Sequence, residues 1–275
     1  MSNQNEKNMT PISYCAEFVK QNDPDRFILS LFCDESCREA LWALFAFNYE
    51  ISKTREVVSE STLGHIRLQW WRDEIAKIFD TNVTQGNEIL SALADAIQRY
   101  NLPKEDFDKL IYAREFDLEN VLPADMQGFT NYCDFTTTPL MTLVLLIVGG
   151  DLDNESVRDV AINYAASGLL RSVPFHAKQG RAYLPENLLN DGGITKDELF
   201  SFQKKKEISE IVRKLTEECI TPLKSDNVFL KSSDILADLY FRQIKGLNYD
   251  VFAPKLQVSP AFKVLRLYVR TKYLR

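Results

Sequence analysis

"SCREALWALFAFNYEISK", residues 36–53, is the stretch on which the fold turns. Leu41, Leu44, Phe45, Phe47 and Ile51 crowd more than one stripe of a 3.6-residue period, so the spacing predicts a helix buried on most of its circumference. The same period recurs on both sides of it. In "TLGHIRLQWWRDEIAKIF", residues 62–79, Leu63, Ile66, Trp70, Ile75 and Ile78 fall near positions i, i+3, i+4 and i+7. Residues 86–99 and 104–121 read as two further helices, divided by the breaker "NLP". "PEN" and "NDGG", within 185–193, read as one loop. "TKDEL" then restarts a helix over 194–219, with Thr195 as N-cap and acids in the first turn. Residues 228–246 and 259–273 close the chain as helices. Strand alternation never persists beyond a few residues. The expected fold class is all-α, one domain over residues 12–275 with about eight to eleven helices, after a disordered tail at 1–11.

Bulk properties narrow the function classes. The 275 residues carry a formal net charge of −6, which argues against nucleic-acid binding through a basic face. The end of the chain departs from that balance. "FKVLRLYVRTKYLR" holds Lys263, Arg266, Arg270, Lys272 and Arg275 against no acid. It reads either as a solvated helix end or as a basic segment making a peripheral membrane contact. The five cysteines form no CxxC pair and there are only two histidines, so a Cys/His zinc site is not expected. Unpaired thiols and an N-terminus without an apolar run fit a bacterial cytoplasmic protein, or a mature organellar form. The longest apolar run, "PLMTLVLLIVGG", is short of the ~20 residues that span a bilayer.

Candidate chemistry is sparse. Carboxylates four apart occur at Glu35/Glu39, Glu56/Glu60, Glu115/Glu119, Glu155/Asp159 and Asp234/Asp238. Such pairs can hold Mg²⁺, but an acidic chain produces them on solvated faces by chance. His65 and His176 each stand without a partner at a telling spacing, and no P-loop, GxSxG or GxGxxG appears. "RSVPFHAKQGRAYLP", residues 171–185, is more informative. It sets Arg171, Lys178 and Arg181 around Tyr183, cations of the kind that clamp phosphate. An irregular helix end pinned by Pro174 and Gly180 accounts for the same residues.

Three segments carry a resemblance. "DPDRFILSLFCDESCREALWALFAF" at 23–47, "LQWWRDEI" at 68–75 and "QGRAYLP" at 179–185 resemble the opening, the Trp-Arg-x-Glu helix and the Gly-Arg-x-Tyr-Leu-Pro signature of the squalene/phytoene synthase superfamily. The resemblance spans roughly residues 20–270. It implies a single isoprenoid-synthase-like helical bundle with a central cavity, in which two Asp-rich motifs hold prenyl diphosphates through Mg²⁺. Phe45, Phe47, Leu140, Val144, Ile147 and Leu169 are the expected lining. Most of the acids those motifs require are missing, and only Glu56 keeps one. Where the first motif should stand the chain has Ser52, Lys53 and Glu56, and where the second should stand it has Arg171, Ser172 and His176.

The physical consequence is severe. A diphosphate leaves only when its negative charge is neutralised, and a Ser, a neutral His or a Lys recruits no metal to do it. Arg55, Lys178, Arg181 and Tyr183 could bind a diphosphate without catalysing its loss. The stretch 43–75 also looks closer to the branch containing the mitochondrial respiratory complex I assembly factor and its bacterial relatives, where an Asn-x-Glu element, here Asn48 and Glu50, replaces Cys-Arg. The expectation is therefore a protein without catalytic residues, metal or cofactor, binding respiratory-chain assembly partners or an isoprenoid ligand. It would be cytoplasmic, or peripheral at the inner membrane. The alternative is an active head-to-head prenyltransferase that uses Mg²⁺ held on Glu50, Glu56 and Asp73.

Overall fold

A computed structural model describes residues 12–81, 84, 86–119, 121–150, 154–219 and 226–273. Among these residues there are helices and no strands. The tail expected at 1–11 lies outside the described residues, as does Arg275.

The chain opens with α1 (Tyr14–Asn22) and α2 (Pro24–Ser30), each started by a side-chain cap: Ser13 for α1 and Asp23 for α2. Helix α3 (Glu35–Ser52) is the buried helix the sequence predicts. Ten of its residues are buried, because Ala and aromatic residues alternate around its whole circumference. The four-residue α4 (Thr54–Val57) follows at once, then α5 (Ser61–Thr81), α6 (Glu88–Tyr100) and α7 (Lys104–Glu119).

The long α8 (Met126–Val148) runs through Pro139 and ends at Gly149, whose φ of 73° suits a residue without Cβ. By length and composition α8 could cross a bilayer. Here it is the central core helix, packed against α3, α7 and α9 (Asn154–Arg171). The remaining α-helices are α10 (Val173–Lys178), α11 (Glu186–Asp191), α12 (Lys196–Phe200), α13 (Lys205–Cys219), α14 (Val228–Gly246) and α15 (Lys263–Tyr273), with a 3-10 turn at Pro254–Gln257 between the last two.

Three expectations change. Residues 185–193 are not one loop, because α11 occupies most of that stretch before the Gly192–Gly193 turn. The helix expected over 194–219 is two. Thr195 does cap α12, through a reciprocal capping box with Glu198, but Phe202 and Lys204 adopt positive φ and separate α12 from α13. In α5, Leu63, Ile66 and Trp70 face solvent, while Leu68, Trp71, Ile75 and Ile78 are buried.

Candidate functional site

The two segments of interest enter the site from opposite halves of the fold. The first is the junction of α3 and α4. The second is the end of α9, α10 and the extended strap 181–185 that follows it. Gly180, at φ 66°, makes the reversal into the strap, and the Arg181 amide donates back to the His176 carbonyl at 2.9 Å. Pro174 sits in the first turn of α10, where it needs no backbone partner.

The geometry joins the segments through one ion pair. Arg181, buried in the strap, reaches Glu56 of α4 at 3.9 Å. Beside it, the His176 ring lies edge-on to Tyr183, with centroids 4.7 Å apart. Tyr183 leads inward. Its phenol donates to Asp117 Oδ1 at 3.0 Å, and the Tyr132 phenol donates to the same oxygen at 2.6 Å. Arg114 faces Asp117 Oδ2 at 3.5 Å. Burial, and then the Asp117 charge, hold both phenols well above the ordinary tyrosine range. Burial first and the Arg181 cation second push His176 down to about 4, so it is neutral.

Other expected residues turn elsewhere. The Ser52 hydroxyl donates to the Tyr49 carbonyl at 2.9 Å. Lys53 folds back over the Tyr49 ring, with its ammonium 3.3 Å from the phenol oxygen. Arg55 keeps a buried Nε without a hydrogen-bond partner. Ser172 precedes α10 without capping it. Lys178 is exposed, 6.0 Å above the Phe202 ring. Arg171 lies over the Tyr240 ring, 3.4 Å from its centroid, with Asp25 at 3.8 Å. Of the four expected diphosphate binders, the structure brings Arg181 and Tyr183 together and turns Lys178 toward Phe202.

The donor set does not fit Mg²⁺. That ion wants several oxygen ligands in a near-octahedral array, usually from carboxylates and waters. Glu56 lies 3.9 Å from Arg181 without a hydrogen bond, Glu50 accepts from Arg67 at 2.6 Å, and Asp73 accepts from Gln69 at 2.7 Å. Asp117 already faces two phenols and a guanidinium. Among the described residues no group of three or more His, Cys, Asp or Glu side chains converges on one point.

Five of the six residues of the expected cavity lining are buried in the core. Phe45, Phe47, Leu140 and Val144 are wholly buried and Ile147 nearly so, whereas a side chain facing an open cavity would stay reachable by water. Phe45 stacks on Phe229 at 6.0 Å, and Phe47 meets Trp71 and Phe107 edge-on. Leu169 is partly buried, packed against a cluster that includes Phe129, Ile162, Leu170 and Phe241. A smaller pocket of about 130 Å³ lies beside the strap, lined in part by Asp117, Arg181 and Tyr183.

Sequence reasoning missed Asp117, Arg114 and Tyr132. A signal existed for the first. Asp117 falls in register with Phe107, Leu110, Ala113 and Leu118, a carboxylate inside an apolar stripe. A buried carboxylate requires donors, and these phenols and Arg114 are what it has.

An all-helical bundle whose two site segments meet at one strap has the isoprenoid-synthase architecture. The family model described as squalene/phytoene synthase matches residues 19–223, and the chain belongs to that family. A cattle protein (Bos taurus) named NADH dehydrogenase (ubiquinone) complex I, assembly factor 6, is similar at 26% identity, across 94% of this chain and 81% of its own. Chloroplastic phytoene synthase 1 of Arabidopsis thaliana is similar at 23% identity, across 68% of this chain and 45% of its own. Among solved structures, squalene synthase from Alicyclobacillus acidocaldarius superposes with a TM-score of 0.73 at 18% identity, covering 86% of this chain and 93% of that one.

Proposed function

We propose that this chain works by binding, in the assembly of a respiratory complex I, and does not couple prenyl diphosphates. The observation that carries the reading is the state of the carboxylates. Of the acids offered as replacement ligands, Glu50 and Asp73 are hydrogen-bonded to Arg67 and Gln69 and Glu56 faces the Arg181 cation, and the three do not converge on one point. Allylic ionisation requires metal-held charge against the leaving diphosphate, and these residues supply no place for it. Similarity to a protein named as a complex I assembly factor, along nearly the whole chain, supports the partner class. An isoprenoid ligand is the weaker partner, because five of the six side chains expected to surround its tail are buried in the core. A cytoplasmic location is part of the proposal. All five cysteines are free and buried, as a reducing compartment allows.

The test has two arms. Purified protein is incubated with farnesyl or geranylgeranyl diphosphate, with and without Mg²⁺, beside an active synthase. No diphosphate release is expected. In cells lacking the gene, native gels should show less assembled complex I and an accumulated subcomplex. Mg²⁺-dependent coupled product would overturn the non-catalytic reading. Normal complex I in the deletion would overturn the assembly role.

A further inference from the structure

Helix α15 is built the wrong way round for a surface helix. Its inward face carries charge: Lys263 reaches Asp25 at 2.5 Å and Arg270 reaches Asp238 at 2.5 Å. Leu267 is its one buried residue. Its outward face is apolar, with Leu265 59% exposed, Val264 54% and Tyr268 45%. A helix that only covered a core would place these the other way. The outward apolar side also continues off the helix. A groove of about 800 Å³ runs between α15 and the α2 edge, with Ile28, Leu31 and Phe32 on one wall and Val264, Leu265 and Tyr268 on the other.

Charge identifies the occupant. The chain as a whole is −6, yet α15 contains no acid. Two of its cations are consumed inward, and the other two, Arg266 and Lys272, are exposed beside the apolar strip. Lys272 lies near the Tyr268 and Tyr273 rings, 5.3 and 5.7 Å from their centroids. Apolar and aromatic side chains flanked by long cations that can reach up to headgroups are the composition of a helix lying in an anionic bilayer surface. A second copy of the chain fits less well. A two-fold contact through this face would set Arg266 and Lys272 against themselves.

We propose that α15, with the α2 edge beside it, docks onto an anionic lipid surface. The contact does not depend on the assembly role, since none of its residues belongs to the strap or to the α3–α4 junction.

The experiment is flotation of the full chain with vesicles of equimolar phosphatidylcholine and phosphatidylglycerol, against phosphatidylcholine alone. Binding is expected to the anionic vesicles only, and to weaken as salt rises. The double variant Arg266→Gln/Lys272→Gln should partition roughly 30-fold less, each surface cation contributing on the order of a fivefold factor. Leu265→Asp should abolish flotation with an unchanged circular-dichroism spectrum, because that side chain is mostly exposed to solvent. No flotation with anionic vesicles overturns the proposal, as does undiminished binding by Leu265→Asp. Absence of flotation together with dimers that Leu265→Asp dissociates would assign the face to a second copy instead.

Discussion

Lowering the pH from 7 to 5 should weaken this protein through one residue, His176. Its ring is enclosed against Tyr183, and its buried Nδ1 has no hydrogen-bond partner. Burial and Arg181 together bring its pKa from 6.5 to about 4. In the unfolded chain the same imidazole titrates at the ordinary value. As pH falls from 6.5 toward 4 the unfolded state therefore takes up a proton that the native state refuses. Stability is present above that window and is lost on descending through it. The slope approaches ~1.4 kcal/mol per pH unit, which amounts to about 2 kcal/mol between pH 7 and pH 5. Urea unfolding at pH 7, 6 and 5 would measure it, with His176→Phe as the comparison. The variant keeps a ring against Tyr183 and cannot titrate, so carboxylates common to both proteins cancel in the difference. The wild type should lose about 2 kcal/mol more than the variant over this range. Parallel losses would refute the reasoning: His176 would then be solvated, and the strap would not pack as described.

Three further substitutions probe the packing around the site. Asp117→Asn removes the charge that faces Arg114 and turns one of the two acceptor oxygens into a donor, and should cost about 3 kcal/mol in chemical denaturation; an unchanged midpoint would mean the network carries no stability. Phe45→Ala should cost about 3–5 kcal/mol if Phe45 is locked against Phe229, whereas a loss under ~1 kcal/mol would reveal a cavity wall rather than a packed core. Gly64→Ala would drive a methyl group into the Leu118 side chain, so thermal unfolding should show a loss of about 1–3 kcal/mol in place of the ~1 kcal/mol gain that Ala brings to an ordinary helix.

Periodicity was a good guide where one face alone is apolar or where all faces are. Helix α14 has the bounds its pattern predicts, and α3 differs by one residue at each end. It failed in α5 because that helix carries two apolar stripes at the same period, Leu63–Ile66–Trp70 and Leu68–Trp71–Ile75–Ile78. Nothing local says which stripe meets the core; α7 decides it, through contacts such as Arg72 to Glu115 at 2.8 Å. The break between α12 and α13 was hidden for another reason. Its left-handed residues are Phe202 and Lys204, neither of them the Gly or Asn that marks such a turn. Phe202 is held there by the Phe252 ring, 5.0 Å away, a tertiary cause with no trace in the neighbouring sequence.

The candidate site divides along the same line. Arg181 and Tyr183 keep their place because the strap that carries them is defined by local features, Gly180 before it and Pro185 after it. Arg171 has the chemistry of a phosphate ligand and a different use. Asp25 on α2 accepts from the Tyr240 phenol at 2.6 Å and from Lys263 at 2.5 Å, and Arg171 lies on that Tyr240 ring beside the same carboxylate. One acid thus gathers α9, α14 and α15 around α2. A guanidinium flanked by an aromatic face and a carboxylate has its charge balanced already, so an incoming diphosphate would have to compete with Asp25 for it. Residue type could nominate Arg171, but only the partners set its role, and those partners come from the two ends of the chain.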